Sequence, residues 1–444
     1  MRNIWILTEE KPKSGVIKQL LNIYLRDIRK ESELTDEPTI TPEIVKDIFK
    51  FRYIVNGIRI RGIDNIYILI VSGSSSFTDF LFYEQSDAPV QGNASDNLLF
   101  AVEETKTSDD ESRNTGVFQR CSKFVYIKSF HDVPLYMLYN DEVSVREDKK
   151  PSDTSIFGTN MLLTIGVKIV GKRVDRWFRK FTSIDELINF KNSMKRPPAS
   201  NTPILIEKFG NYLTISGRLD KPQNIGRISH DPNIGALSII AYTLRHLGWD
   251  KEIVITRHQI TQQYINSTRG RNKFLYIASV LGMKLDGLVM PASASLPESY
   301  WHYERSSEKV ASILFHIMAE NMGLKEVYQN HAGCERGYFK TLDGMLLALP
   351  KVTPTGDNLL IPDVIMRDDR SKHIILIEGK KLSTINNGLA ELSGYDDIER
   401  LYIKPYFPKY TIERSLTIFG GQLTKSPHEK VKLYLSDSGK IIAK

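Results

Sequence analysis

Residues 359–383 read LLIPDVIMRDDRSKHIILIEGKKLS, and the fold turns on how this stretch is read. An apolar strand, IILI, runs straight into Glu378-Gly379-Lys380. Upstream, Asp363 follows Pro362 at the start of another apolar run, and RDDRSK between them supplies a hairpin turn. Strand alternation puts Glu378 and Lys380 on one face with Gly379 between them. A hairpin of this length can bring Asp363 beside Glu378, so that two carboxylates and a lysine converge. The plain alternative is a hairpin that ends in a surface Glu-Lys pair.

The trio suits phosphodiester hydrolysis. Carboxylate oxygens hold Mg2+, a hard cation, and the metal polarises a phosphate. A lysine neutralises charge growing on phosphorus or orients a water, and a glycine lets backbone approach closely. A second stretch, FAVEETKTSDDESRN at 100–114, poses the same question. Glu104 and Lys106 share a strand face there, and Glu103 points to the other. Asp79 in FTDFLFY lies on a neighbouring strand, without a preceding proline, across the polar loop EQSDAPVQGNASDN. Downstream, Arg113, Gln119 and Arg120 on an expected helix could face phosphate or bases. The alternative here is a strand running out into a solvated acidic turn.

Pro-Asp, a variable gap and Asp/Glu-x-Lys form the motif of the PD-(D/E)XK nuclease superfamily, which both stretches resemble; the second resembles it as seen in type II restriction endonucleases. The resemblance covers roughly residues 40–130 and 305–421. It implies catalytic Asp79, Glu104, Lys106, Asp363, Glu378 and Lys380. Mg2+ would be held by Asp79, Glu104, Asp363 and Glu378, and the substrate would be double-stranded DNA. The chain has no helicase phosphate loop and no methyltransferase motif, so neither ATP nor S-adenosylmethionine is expected for cutting.

The expected fold class is α/β (α+β): two restriction-endonuclease-like mixed-sheet domains flanked by helices, with a middle α/β DNA-binding region. A chain of 444 residues is long enough for such a division, with expected boundaries 1–150, 151–300 and 301–444. Helical spacing is read over 16–30, 42–52, 234–248 and 306–323, and in RNTGVFQRCSK. Strands are read in NIYILIVSG, FTDFLFY, LLFAVEETK, FVYIKSF, MLLTIGVKIVG, ILIEKFGNYLTIS, KEIVITRH and RSLTIFGG. Helix, strands, helix and strand follow in the same order in the first and last sections.

The net charge is +7, from 60 Lys+Arg against 53 Asp+Glu, and a basic face would attract a polyanion. GKRVDRWFRKF at 171–181 interleaves Lys172, Arg173 and Arg176 with Trp177 and Phe178, which suits phosphate contact with stacking. It reads equally as a helix whose aromatics face a core. In TRHQITQQYINSTRGRNKF (256–274), Gln262, Gln263, Asn266, Arg269 and Arg271 are types that read base edges. His230 and His258 lack metal spacing and are read as structural. Cys121 and Cys334, with no Cys-x-x-Cys, exclude a disulfide framework and a zinc cluster. No apolar run reaches the ~18 residues of a membrane span, and the N-terminal one is too short for a signal peptide. The expectation is a cytoplasmic protein without a membrane partner, monomer or homodimer. The leading reading is a site-specific endonuclease; the alternatives are a repair or recombination nuclease and a non-catalytic DNA-binding protein.

Overall fold

The computed structural model describes residues 2–73, 78–105, 123–139, 153–171, 177–194, 204–216, 231–258, 260–266, 274–290, 301–331 and 337–444. It is a mixed α/β chain that divides into two compact units. One comprises Met1–Ser72, Gln85–Ala88 and His302–Lys444; the other comprises Gly73–Glu84 and Pro89–Trp301. The grouping follows contact and not chain order, since the first seventy-two residues pack with the C-terminal section.

In the first unit the N-terminal strands are β1 (Asn3–Thr8), β2 (Thr39–Val45), β3 (Ile48–Asn56) and β4 (Asn65–Gly73), arranged β2-β3-β4-β1. Every residue of β1 is buried, and it runs parallel to β4. Helix α1 (Ser14–Ile23) buries Val16, Ile17, Leu20 and Leu21, the stripe that its spacing predicts. Residues 42–52 differ from the helix expected there. They form the β2–β3 hairpin, which turns at Lys46 and Asp47, both at positive φ (51° and 62°). A two-residue turn with both φ positive matches the twist of paired strands, and Phe49, Tyr53 and Val55 then fill the core.

The second unit holds β5 (Phe80–Gln85), β6 (Leu98–Thr105), β7 (Leu135–Tyr139) and β8 (Lys168–Gly171), in that order. The β5–β6 pair is antiparallel, whereas β6–β7 and β7–β8 are parallel. Its other sheet runs β12-β11-β10-β9, from β9 (Leu205–Lys208), β10 (Tyr212–Ser216), β11 (Glu252–Thr256) and β12 (Met283–Leu285). Helices α2 (Asp153–Thr164), α3 (Ile184–Ser193) and α4 (Asp231–His246) belong to this unit. Two expected strands are corrected. FVYIKSF is helical over 123–128, with Phe124 to Ile127 all buried, and MLLT closes α2, which leaves only Lys168–Gly171 extended. A short run buried on all sides carries no period, so spacing cannot separate strand from helix.

The C-terminal section follows β13 (Trp301–Tyr303) with α5 (Glu308–Asn321), β14 (Lys325–Gln329), the hairpin β15 (Tyr338–Lys340) and β16 (Leu346–Ala348), β17 (Val364–Asp368) and β18 (His373–Lys381). Then come α6 (Ile385–Leu392), β19 (Thr411–Phe419), β20 (Val431–Leu435) and β21 (Ile441–Ala443). The sheet order is β14-β17-β18-β19-β20-β21. As expected, β17 and β18 form an antiparallel hairpin; β19 then lies parallel to β18, and β20 parallel to β19. Helix α5 packs on β18 and β19.

An ion cluster ties the N-terminal residues to this section. The Lys11 ammonium, 3% exposed, pairs with Glu320 of α5 and lies 3.8 Å from Glu326 of β14. Lys340 reaches Glu326 at 2.8 Å, and His316 Nε2 lies 3.4 Å from both carboxylates. Burial pushes Glu326 up, but the His316 hydrogen bond and the Lys11 charge hold it well below the usual carboxylate range. Asn321 donates to the Ile40 carbonyl at 3.0 Å, and Phe49 N donates to the Gly439 carbonyl at 2.7 Å. Removing one partner from a buried ion pair leaves a charge without compensation. Lys11→Met is therefore expected to lower unfolding stability by about 2–4 kcal/mol. Urea unfolding monitored by tryptophan fluorescence measures this, and Lys11→Arg should recover most of the loss.

Candidate active site

Gly379 organises the end of β18. A Cβ built there would lie 2.3 Å from Ser312 Oγ, 3.1 Å from Asp363 Oδ2 and 3.3 Å from the Glu308 carbonyl. Only a glycine lets the first turn of α5 approach the strand this closely. Ser312 Oγ is 2.9 Å from Thr417 Oγ1 of β19, which locks the helix onto the sheet. The Gly379 N–H donates to Asp363 Oδ2 at 2.9 Å and so fixes the carboxylate at the entrance to β17.

Hairpin register does the rest. Val364 pairs with Ile377, so Asp363 and Glu378 each sit one residue beyond the last pair. Lys380 follows two residues along the same face, and its Nζ contacts Glu378 Oε1 at 2.7 Å and Glu391 Oε2 of α6 at 2.8 Å. Gly388 on α6 makes room for the lysine stem, since a Cβ there would meet Lys380 Cγ at 2.7 Å. The Tyr395 hydroxyl donates to the other Glu378 oxygen. The structure thus brings together Asp363, Glu378 and Lys380 as the sequence predicts. It adds Glu308, Ser312, Glu391 and Tyr395, which no spacing rule links to the motif because they arrive from helices and turns of the fold.

The electrostatics favour a cation. Burial and the neighbouring Glu378 charge push Asp363 up to about 7, against the Gly379 hydrogen bond and Lys380. Burial raises Glu378 as well. Lys380 behaves oppositely: burial pulls it down, but bonds to Glu378 and Glu391 raise it above its ordinary value. It is a fixed ammonium, a donor and not a base. Burial and Glu378 also raise Tyr395, which keeps its proton. Asp363, Glu378, Glu391 and Glu308 against one lysine leave excess negative charge, and a divalent cation held by Asp363 and Glu378 would relieve it.

The N-terminal trio comes out differently. Asp79 Oδ2 accepts the backbone N–H of Glu104 at 2.7 Å, but the carboxylate beside it belongs to Glu103, the residue expected to point away. Glu103 Oε2 accepts from Asp79 N at 3.2 Å, and Oε1 accepts from Lys123 at 3.0 Å. Because Phe80 pairs with Val102, Glu103 is the next residue along, and alternation sends the Glu104 side chain to the opposite face. Lys106, Arg113, Gln119, Arg120, Lys172, Arg173, Arg176, Arg269 and Arg271 lie outside the described residues. Gln263 and Asn266 are exposed. The Gln262 amide holds both N–H and C=O of Val289 at 3.0 Å, which leaves it engaged within the fold. Phe178 stacks near Tyr139 with ring centroids 6.3 Å apart, but residues 177–180 are not helical and Trp177 and Phe178 are half-buried, unlike the core-facing helix expected there. His316, Glu320 and Glu326 present ligand-type atoms within 4.8 Å of one another, but Lys11 and Lys340 already balance the two carboxylates there.

Asp363 generates a pH-dependent prediction for protein without divalent cation. Its carboxyl titrates near 3.8 when unfolded and near 7 when folded, so folding takes up a proton between these values. The stability that Asp363 contributes when protonated is lost as pH rises through about 7. Asp363→Asn should therefore melt higher than the parent at pH 8, by about 1–3 kcal/mol of stability, and match it near pH 4. Chemical denaturation with EDTA at the two pH values checks this. No protein-family model, curated protein or solved structure matches the chain.

Proposed function

We propose that the protein is a divalent-metal-dependent endonuclease that hydrolyses phosphodiester bonds in double-stranded DNA, of the site-specific restriction type. The observation that carries this reading is the convergence of Asp363, Glu378 and Lys380 at one strand end, where burial and then the Glu378 charge raise Asp363. A bound Mg2+ supplies Lewis acidity that polarises the scissile phosphate. Asp363 and Glu378 are the residues to hold it, each oriented by a donor of the fold: Gly379 N–H for the first, Lys380 and Tyr395 for the second. Lys380, kept charged by Glu378 and Glu391, neutralises charge that grows on the phosphate oxygens as the bond breaks.

The net charge of +7 agrees with a polyanionic substrate. Among the described residues no helix is long and apolar enough to cross a membrane.

Digestion of a long duplex with Mg2+ tests the proposal. The wild-type protein is expected to yield discrete fragments, and none in EDTA. Lys380→Ala and Glu378→Gln should each slow hydrolysis at this centre by about 100–1000-fold, the scale of losing one charge-stabilising donor. Cutting confined to branched or damaged DNA would move the protein to the repair class. Tight DNA binding with no cleavage by any divalent cation would make it a binding protein.

A further inference from the structure

We infer that the second unit carries a phosphodiester-hydrolysing centre of its own, built from Asp79, Glu103 and Lys123, with its lysine delivered by the helical segment between β6 and β7. The inference rests on the nuclease reading of the C-terminal site, which it extends to a second set of residues.

The basis is an internal repeat of site geometry. Strands β5-β6-β7-β8 pair antiparallel, parallel, parallel, as do β17-β18-β19-β20. The registers coincide at the residues that matter. Asp363 precedes Val364, which pairs with Ile377, and Glu378 follows. Asp79 precedes Phe80, which pairs with Val102, and Glu103 follows. The defining hydrogen bond recurs too: Asp363 Oδ2 accepts Gly379 N–H at 2.9 Å, and Asp79 Oδ2 accepts Glu104 N–H at 2.7 Å. Glu104 therefore stands in the place of Gly379, Glu103 in that of Glu378, and Thr105 in that of Lys380.

A threonine in the lysine position would leave two acids without a cation. The structure supplies one from elsewhere. Lys123 Nζ lies 3.0 Å from Glu103 Oε1 and 3.8 Å from Asp79 Oδ1, as Lys380 Nζ lies 2.7 Å from Glu378 Oε1. Lys123 opens the helical residues 123–128 in the connection between β6 and β7, and α6 occupies the same connection between β18 and β19. A long side chain reaches the same carboxylate from the crossover instead of from the strand. Glu103 is 0% exposed, and a buried acid–lysine pair adds little to stability over an apolar pair of similar volume. Its recurrence in the same register beside a second carboxylate points to chemistry.

The ligands are a divalent cation and a nucleic-acid phosphodiester. In the reaction a water oxygen bonds to phosphorus while the bond from phosphorus to the leaving sugar oxygen breaks. One water proton ends on that oxygen and the other passes to solvent. With two centres in one chain, each hydrolyses one strand.

The test uses the full chain, Mg2+ and a duplex cut by the wild type, with each strand labelled in a separate reaction. Lys123→Ala and Glu103→Gln are expected to cut one strand at the wild-type rate and the other at least 100-fold more slowly. Lys380→Ala should spare the opposite strand, and Lys123→Ala/Lys380→Ala should cut neither. Lys123→Arg keeps the ion pair and the fold, and is expected to slow the same strand as Lys123→Ala at least tenfold. Full-rate cutting of both strands by Glu103→Gln and Lys123→Ala overturns the inference. So does equal slowing of both strands by Lys123→Arg, or nicking by Glu104→Gln where Glu103→Gln cuts both. Failure of the wild type to cut any DNA refutes the nuclease reading itself, and is told apart by its independence of these variants.

Discussion

The close approach of α5 to β18 at Gly379 is the constraint on which the candidate site depends. With Ser312 Oγ filling the space of a side chain, strand and helix sit nearer than any other residue would permit. The same glycine turns its N–H toward Asp363, so the contact that packs the helix also aims the carboxylate. Packing and site geometry share one position.

Two charged clusters in the first unit show how differently a fold uses buried ions. Around Lys11, two lysines face two glutamates, and the balanced charges hold the N-terminal residues to α5 and β14. Around Lys380, one lysine faces Asp363, Glu378 and Glu391, and burial, reinforced by the unpaired charge of Glu378, drives Asp363 toward neutrality. Buried ion pairs contribute little net stability compared with apolar packing. The balanced cluster therefore reads as a specific lock between distant parts of the chain, and the unbalanced one as a site prepared for a cation. The three ligand-type residues near Lys11 could be mistaken for a metal centre on spacing alone, and charge balance tells the two clusters apart.

Strand parity made much of the C-terminal site legible. Glu378 and Lys380 share a face because a strand repeats every two residues, and the RDDRSK turn brought Asp363 alongside. Helical spacing found α1, α4 and α5 for the same reason. Where the period was absent or misleading, the reading went astray. FVYIKSF, with Phe124 to Ile127 all buried, became helical up to residue 128, and the helix-like spacing over 42–52 concealed a hairpin that turns on two residues at positive φ. Tyr395, Glu391 and Glu308 join the site from elements whose placement no local pattern encodes.

At the other strand end, parity was right and register was not. Glu103 and Glu104 do point to opposite faces, but which of them meets Asp79 depends on the pairing of Phe80 with Val102 across a long loop. A shift of one residue exchanges the faces, and nothing in FAVEETK records that shift. The lysine beside Glu103 is Lys123, twenty residues downstream, brought to the carboxylate by the helical residues 123–128. The amino-acid sequence by itself determined the element types with a clear period and the chemistry available at each strand end. Tertiary structure decided register, partners and the grouping of residues 2–72 with the C-terminal section. Side-chain alternation is a property of neighbouring residues, whereas register and docking arise from contacts between residues far apart in the chain.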